Sequence, residues 1–81
     1  MEFKDALAQA ADYFYRTKGT GVICALDAKI HWIFYGGIQG KVEIGGTGIK
    51  IEKESGRGED FILPDSEHFK MLENAEEIKL F

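Results

Sequence analysis

Apolar residues near the start of the chain recur at the spacing of a helical face. They stand at Phe3, Leu7, Ala10, Ala11 and Phe14. Polar residues fill the rest of the helical wheel, and good helix formers dominate the segment. The first glycine is Gly19, a residue type that commonly ends helices. The pattern predicts a helix over residues 2–18.

After Gly19 the period changes to that of β-strands. Residues 21–27 and 30–35 are rich in β-branched and aromatic side chains, with the most favourable turn at Asp27, Ala28 and Lys29. Both segments place apolar groups on both faces, which is typical of strands covered on both sides. In the second segment the predicted faces are Ile30, Trp32 and Phe34 on one side and His31, Ile33 and Tyr35 on the other.

The next segments alternate more regularly. Residues 38–44 and 47–53 flank Gly45-Gly46, a pair typical of a tight hairpin turn. This register predicts Val42 opposite Ile49 and Lys41 opposite Lys50, with a solvated outer face. Gly36-Gly37 is expected to reverse the chain before the hairpin, and Gly40 to mark a bulge.

The C-terminal third predicts a strand, a short helix and a final strand. Residues 59–63 form the strand, and a helix begins at Asp65 or Ser66, with Phe69, Met71 and Leu72 on its apolar side and Asn74 at its end. Residues 76–81 are assigned to the last strand. The predicted order is α-β-β-β-β-β-α-β over a single domain, residues 1–81. The predicted fold class is α+β, an antiparallel sheet of about five strands with the N-terminal helix on one face.

The stretch YGGIQGKV, residues 35–42, has the glycines and lysine of a phosphate-binding loop. Such a loop requires G-x-x-x-x-G-K followed by Ser or Thr, and a strand that leads into a helix. Here the glycine spacing is wrong, and Val42 occupies the position of the hydroxyl that would hold magnesium. The sequence therefore predicts no nucleotide bound at Lys41 and no cofactor.

The residue types that could suggest catalysis or metal binding are explained better by structural roles. Asp65-Ser66-Glu67-His68 contains the residue types of a catalytic triad, but these neighbours diverge around one helical turn, and a helix start explains them. Cys24, His31 and His68 have no spacing that supplies paired metal ligands. We predict no catalytic residue and no metal site.

Charge and composition exclude several classes of protein. The 81 residues carry a net charge of −4, and residues 59–81, with seven acids and two bases, account for −5. A nucleic-acid binder requires a basic surface, so no nucleic-acid partner is expected. No apolar run approaches the roughly 18 residues of a membrane span, and no signal peptide is visible. The lone Cys24 is typical of a reducing cytoplasm.

One long helix can shield only one face of strands that are apolar on both. We therefore expect a second face, carrying Ile23, His31, Ile33 and Tyr35, to stay open and to bind a protein partner or a second copy of the chain. The aromatic run HWIFY has only Lys29 as a basic neighbour, which favours packing over base stacking. The predicted function is a small non-enzymatic cytoplasmic interaction module. The alternative is a small-ligand sensor or minor enzyme with its pocket between the sheet and the first helix.

Overall fold

The computed structural model describes residues 1–38, 41–42, 48–61 and 66–80. The elements follow the predicted order, which is confirmed. They are helix α1 (Phe3–Lys18), strands β1 (Gly21–Ala28), β2 (His31–Ile38), β3 (Lys41–Val42), β4 (Gly48–Glu52) and β5 (Gly58–Phe61), helix α2 (Ser66–Glu73) and strand β6 (Glu76–Ile78). Among the described residues, neither helix is long and apolar enough to cross a membrane.

All the strands belong to one open antiparallel sheet, which confirms the predicted α+β class. Five strands lie side by side in the order β5-β4-β2-β1-β6, and the two-residue β3 adds to the end of β2. Strand β2 is central: β1 pairs with it along one edge, and β4 pairs with its first half along the other. The last strand returns antiparallel to β1, with Ala25 opposite Ile78.

Helix α1 packs on one face of the sheet and forms the larger core. Ala6, Ala10 and Phe14 on the helix are fully buried. Their sheet partners in this core cluster are Ala25, Trp32, Phe34, Ile49 and Ile51. The alanines are small enough to bring the helix close to the sheet. The helix ends as predicted at Gly19, whose φ of 64° only glycine adopts without cost.

The opposite face holds a second, smaller core. Its buried members are Ala28, Ile33, Tyr35 and Phe61, with Met71 of α2 packed against them. The prediction of cover on both sides is confirmed for β2, whereas β1 is only partly covered on this face. The expectation that Ile33 and Tyr35 stay open is wrong, since they are 0% and 8% exposed. The Phe61 ring, 6.1 Å from the Tyr35 ring, helps to close this face.

The predicted chain reversal at Gly36-Gly37 is wrong, because β2 continues through both glycines to Ile38. Gly36 pairs with Val22 and lies against the ring of Phe14. A Cβ atom at Gly36 would stand 2.6 Å from Cδ1 of that ring, closer than real contacts allow. Gly36 is therefore needed for the close approach of α1, and it forms no turn.

The first hairpin turn lies slightly later than predicted. Asp27 and Ala28 still belong to β1 and pair with Trp32 and His31. The turn residues are Lys29 and Ile30, with Lys29 at a φ of 65°. Ile30 therefore lies at the tip of the hairpin. The expectation that it shares a face of β2 with Trp32 and Phe34 is wrong.

The predicted pairing of the third and fourth strands is also wrong. Val42 pairs with Gly37, because β2 extends far enough for β3 to fold back onto it. Lys50 pairs with Ile33 and Glu59, so the expected juxtaposition with Lys41 does not occur. The predicted features at Gly40, Gly45-Gly46, residues 62–63 and Asp65 lie outside the described residues.

We predict that replacing Gly36 by alanine destabilises the protein by about 1–3 kcal/mol, because the added methyl group overpacks the buried Phe14 ring. Gly21 is a matched control in the neighbouring strand, since no atom lies within 4 Å of a Cβ placed there. Gly21→Ala should change the free energy of unfolding by no more than about 0.5 kcal/mol. Urea denaturation of both variants measures this, and equal costs would contradict the role assigned to Gly36.

Candidate functional site

The structure separates the four residues predicted to form an interaction surface. Ile33 and Tyr35 lie in the second core, so a partner cannot contact them without opening the fold. Ile23 is the extra residue of a β-bulge between Val22 and Cys24; it is half-buried and belongs to neither core cluster. His31 lies at the edge of this face and is only half-buried. His31 lines two open hollows of the surface.

Two hollows meet at His31 because the cover over this face is incomplete. Helix α2 has only eight residues, too few to span a sheet of this width. We name the first hollow the Ile30 notch; it is a groove of about 370 Å³ between the first hairpin and α2. Its lining comes from Ala28, Lys29, Ile30 and His31 of the hairpin and from Lys70, Met71 and Asn74 at the end of the helix and just beyond it.

Ile30 is the most unusual residue of the notch. It is 67% exposed, although isoleucine is among the residue types most often buried. Single exposed apolar residues are common on protein surfaces and by themselves indicate little. Ile30, however, stands beside Ala28 and Met71, which continue the apolar surface into the groove.

The hairpin tip that carries Ile30 is held by several hydrogen bonds. The Asp27 carboxylate accepts from the backbone amide of Lys29 at 3.1 Å and from Lys53 Nζ at 2.7 Å. The backbone amide of Lys53 donates to the carbonyl of Ile30 at 2.9 Å. These contacts join the tip to the chain that follows β4, so the backbone that carries the exposed side chain is held in a defined position.

The second hollow is a polar pocket of about 240 Å³ on the other side of His31. It is lined by His31, Lys50, Glu52, Ser55, Arg57 and Glu59. Its charges are balanced internally. Glu59 lies 3.8 Å from Lys50 Nζ and 3.3 Å from Arg57 Nε, and Glu52 accepts a hydrogen bond from Ser55 at 2.7 Å. The pocket therefore offers hydrogen-bonding groups next to the notch but little net charge.

His31 connects the two hollows, and its surroundings favour the uncharged imidazole. Its Nδ1 atom is buried and has no hydrogen-bond partner among the described residues. Burial lowers the pKa of His31 from its ordinary value of 6.5, and the nearby charge of Lys50 lowers it further, while Glu52 and Glu59 oppose the shift. An uncharged imidazole at this position can donate or accept one hydrogen bond to a bound group.

A third hollow lies between α1 and strands β4 and β5, where the alternative function places a pocket. This helix cleft, of about 680 Å³, is lined mainly by polar side chains of both layers. Many of them bind one another: Tyr13 donates to Asp60 at 3.1 Å, and Arg16 pairs with Asp12 at 3.1 Å. Burial, followed by the hydrogen bond and charge of Asp60, raises the pKa of the Tyr13 hydroxyl. The cleft is open, and polar and apolar atoms line it about equally.

The other candidates for chemistry are not brought together. No group of three or more His, Cys, Asp or Glu residues within the described ranges is placed to hold a metal ion. Cys24 is free and half-buried, and burial together with the charge of Glu77 raises the pKa of its thiol, which disfavours the reactive thiolate. The side chains of Ser66 and His68 fall outside the described part of the chain.

Sequence analysis missed Ile30, Lys70 and Met71 as members of the site. A signal for Ile30 was present, since an Asp two residues before a turn position often accepts a hydrogen bond from the turn backbone, as Asp27 does from Lys29. No local signal could have indicated that α2 docks beside this hairpin.

Comparison with known proteins provides no functional assignment. No family model, curated protein or solved structure matches the chain. The fold and the hollows around His31 define an α+β domain with an apolar notch beside a charge-balanced pocket.

We predict that His31 makes stability depend on pH. Because its folded pKa lies below 6.5, the unfolded chain takes up the proton first as the pH falls, and stability is lost from near pH 6.5 downwards. His31→Gln lacks this loss. The free energy of unfolding of the variant, relative to that of the parent, should therefore increase as the pH is lowered from about 7.5 to about 5.5. Urea denaturation at both values measures the difference. An NMR titration giving His31 a pKa of 6.5 or above would contradict it.

Proposed function

We propose that the protein is a small non-enzymatic interaction module that binds a protein partner at the Ile30 notch. The observation that carries the proposal is Ile30 itself, 67% exposed on a held hairpin tip beside an apolar groove. The partner contributes an apolar side chain, which packs between Ile30 and Met71.

The energy available at such an anchor supports this role. Removing the side chain of one isoleucine from water is worth about 1.5–3 kcal/mol. The hydrogen bonds at Asp27 and Lys53 position the backbone of Ile30 before binding, so little backbone entropy is lost when the partner arrives. Apolar anchors in a pocket with a polar surround dominate many protein interfaces.

The polar pocket extends the binding surface beyond the notch. A stable interface usually buries about 1,200–2,000 Å² in total, more than one groove supplies. His31 joins the notch to the pocket, where Ser55, Arg57 and Glu59 are exposed and can bind partner groups directly or through water. The partner is therefore expected to cover both hollows with His31 at the centre.

The proposed compartment is the cytoplasm. Cys24 is the single cysteine of the sequence, and it is a free thiol. A chain without disulfides suits a reducing environment.

A small-ligand sensor that uses the helix cleft is the second candidate. The observation in its favour is the size and position of the cleft, about 680 Å³ between α1 and the sheet. A ligand there would have to compete with internal pairs such as Tyr13 with Asp60. A metabolite that raises the melting temperature of the parent, but not that of Tyr13→Phe, would favour this candidate over the notch.

The proposal predicts that Ile30→Glu abolishes partner binding without unfolding the protein. The residue is exposed, so its replacement should cost no more than about 0.5 kcal/mol of stability. Placing a carboxylate at the anchor should lower recovery of the partner more than about tenfold in affinity enrichment from native cells. The recovered protein is then purified and titrated against the parent and the variant.

Tyr15→Glu is the matched control for this experiment. Tyr15 is 74% exposed on α1, so the substitution also places a carboxylate at an exposed apolar position, but on the helix that covers the opposite face of the sheet. Recovery should be unchanged by Tyr15→Glu. Sedimentation of the parent at rising concentration identifies the case in which the partner is a second copy. If no protein, including another copy, depends on Ile30 for recovery, the proposed function is wrong.

A further inference from the structure

The Ile30 notch is basic, although the chain as a whole is acidic. Lys29 on the hairpin and Lys70 on α2 both line it, and no acidic side chain of the described residues does. The chain carries a net charge of −4. Burial favours the uncharged form of His31, so the two lysines determine the sign of the charge that lines the notch.

Three acidic groups around the hairpin and the polar pocket already have partners. Asp27 binds Lys53 at 2.7 Å, and Glu52 accepts from Ser55. Glu59 lies near both Lys50 and Arg57. Within the described part of the chain, neither Lys29 nor Lys70 forms an ion pair, and both side chains are exposed. Two lysines therefore line one apolar groove, one from the hairpin and one from α2.

We propose that the segment bound at the notch is acidic: its apolar side chain enters the groove, and the carboxylates on either side of that residue pair with Lys29 and Lys70. This inference rests on the proposed function and specifies the chemistry of the partner. An extended segment fits the arrangement, because the residues two positions before and after the anchor share its face and can direct their carboxylates towards the lysines.

Charge complementarity at this site works at short range. At physiological ionic strength the Debye length is about 8 Å, so the distant acids of the chain are largely screened, while contacts to the two lysines persist. An exposed ion pair contributes modestly, equivalent to about two- to fivefold in affinity for each lysine. The lysines therefore select the sign of the partner's charge, and the apolar anchor supplies most of the affinity.

Selection from a display library of short random linear peptides tests the inference on the folded chain. Peptides are selected on the parent at about 0.15 M salt and counter-selected against Ile30→Glu. The expected sequences carry a central apolar residue flanked by Asp or Glu. Selection on the double variant Lys29→Glu/Lys70→Glu should instead enrich peptides whose flanking residues are basic.

Titration of one selected peptide against single variants completes the test. Lys29→Gln and Lys70→Gln should each weaken binding about two- to fivefold, and the effect should fade at about 0.5 M salt. Lys4→Gln is the control, since Lys4 is also exposed but lies on α1; it should leave binding unchanged.

The outcomes separate the two proposals. If the selected peptides depend on Ile30 but are neutral or basic, the acidic partner is ruled out while the notch remains a binding site. If no selected peptide depends on Ile30, the notch is not a binding site, and the proposed function fails together with the inference.

Discussion

The structure depends on one strand that has to be buried on both faces. In β2, Trp32 and Phe34 point to the layer of α1, while Ile33 and Tyr35 point the other way, and all four are buried. A strand of this kind is stable only in the middle of a sheet with a layer on each side. The positions of both helices follow from this requirement: α1 covers one face of β2, and α2 with Phe61 covers the other.

The two layers differ in length, and the candidate site is a consequence of that difference. Helix α1 has 16 residues and packs along its face with two alanines and a phenylalanine fully buried. Helix α2 has eight residues, and it leaves the hairpin tip and the adjacent part of β4 and β5 open. His31 lies where this cover ends, so it borders an apolar notch on one side and a charged pocket on the other. The proposed binding surface is thus the part of this sheet face that α2 does not cover.

The residues that misled the sequence analysis did so for a common reason. Glycine serves both at turns and where two backbones approach closely, and the local sequence does not distinguish these uses. At Gly36 the deciding neighbour is Phe14, which lies in α1 and is distant along the chain. Ile30 is a similar case. Its β-branched side chain favours a strand, but the hydrogen bonds of Asp27 and Lys53 place it in the turn.

Element type and order were determined by the sequence alone, since helical and strand periods, and the stop at Gly19, depend on neighbours within a few residues. The requirement that β2 be covered twice could also be inferred, because it depends only on which positions are apolar. Tertiary structure decided what covers each face. The burial of Ile33 and Tyr35 depends on Phe61 and Met71, whose approach is set by packing between distant segments. The candidate site lies at Ile30 and His31, and not on the predicted surface, for the same reason. Which residues stay exposed depends on how far the covering layer extends, and that layer is formed by segments distant in the sequence.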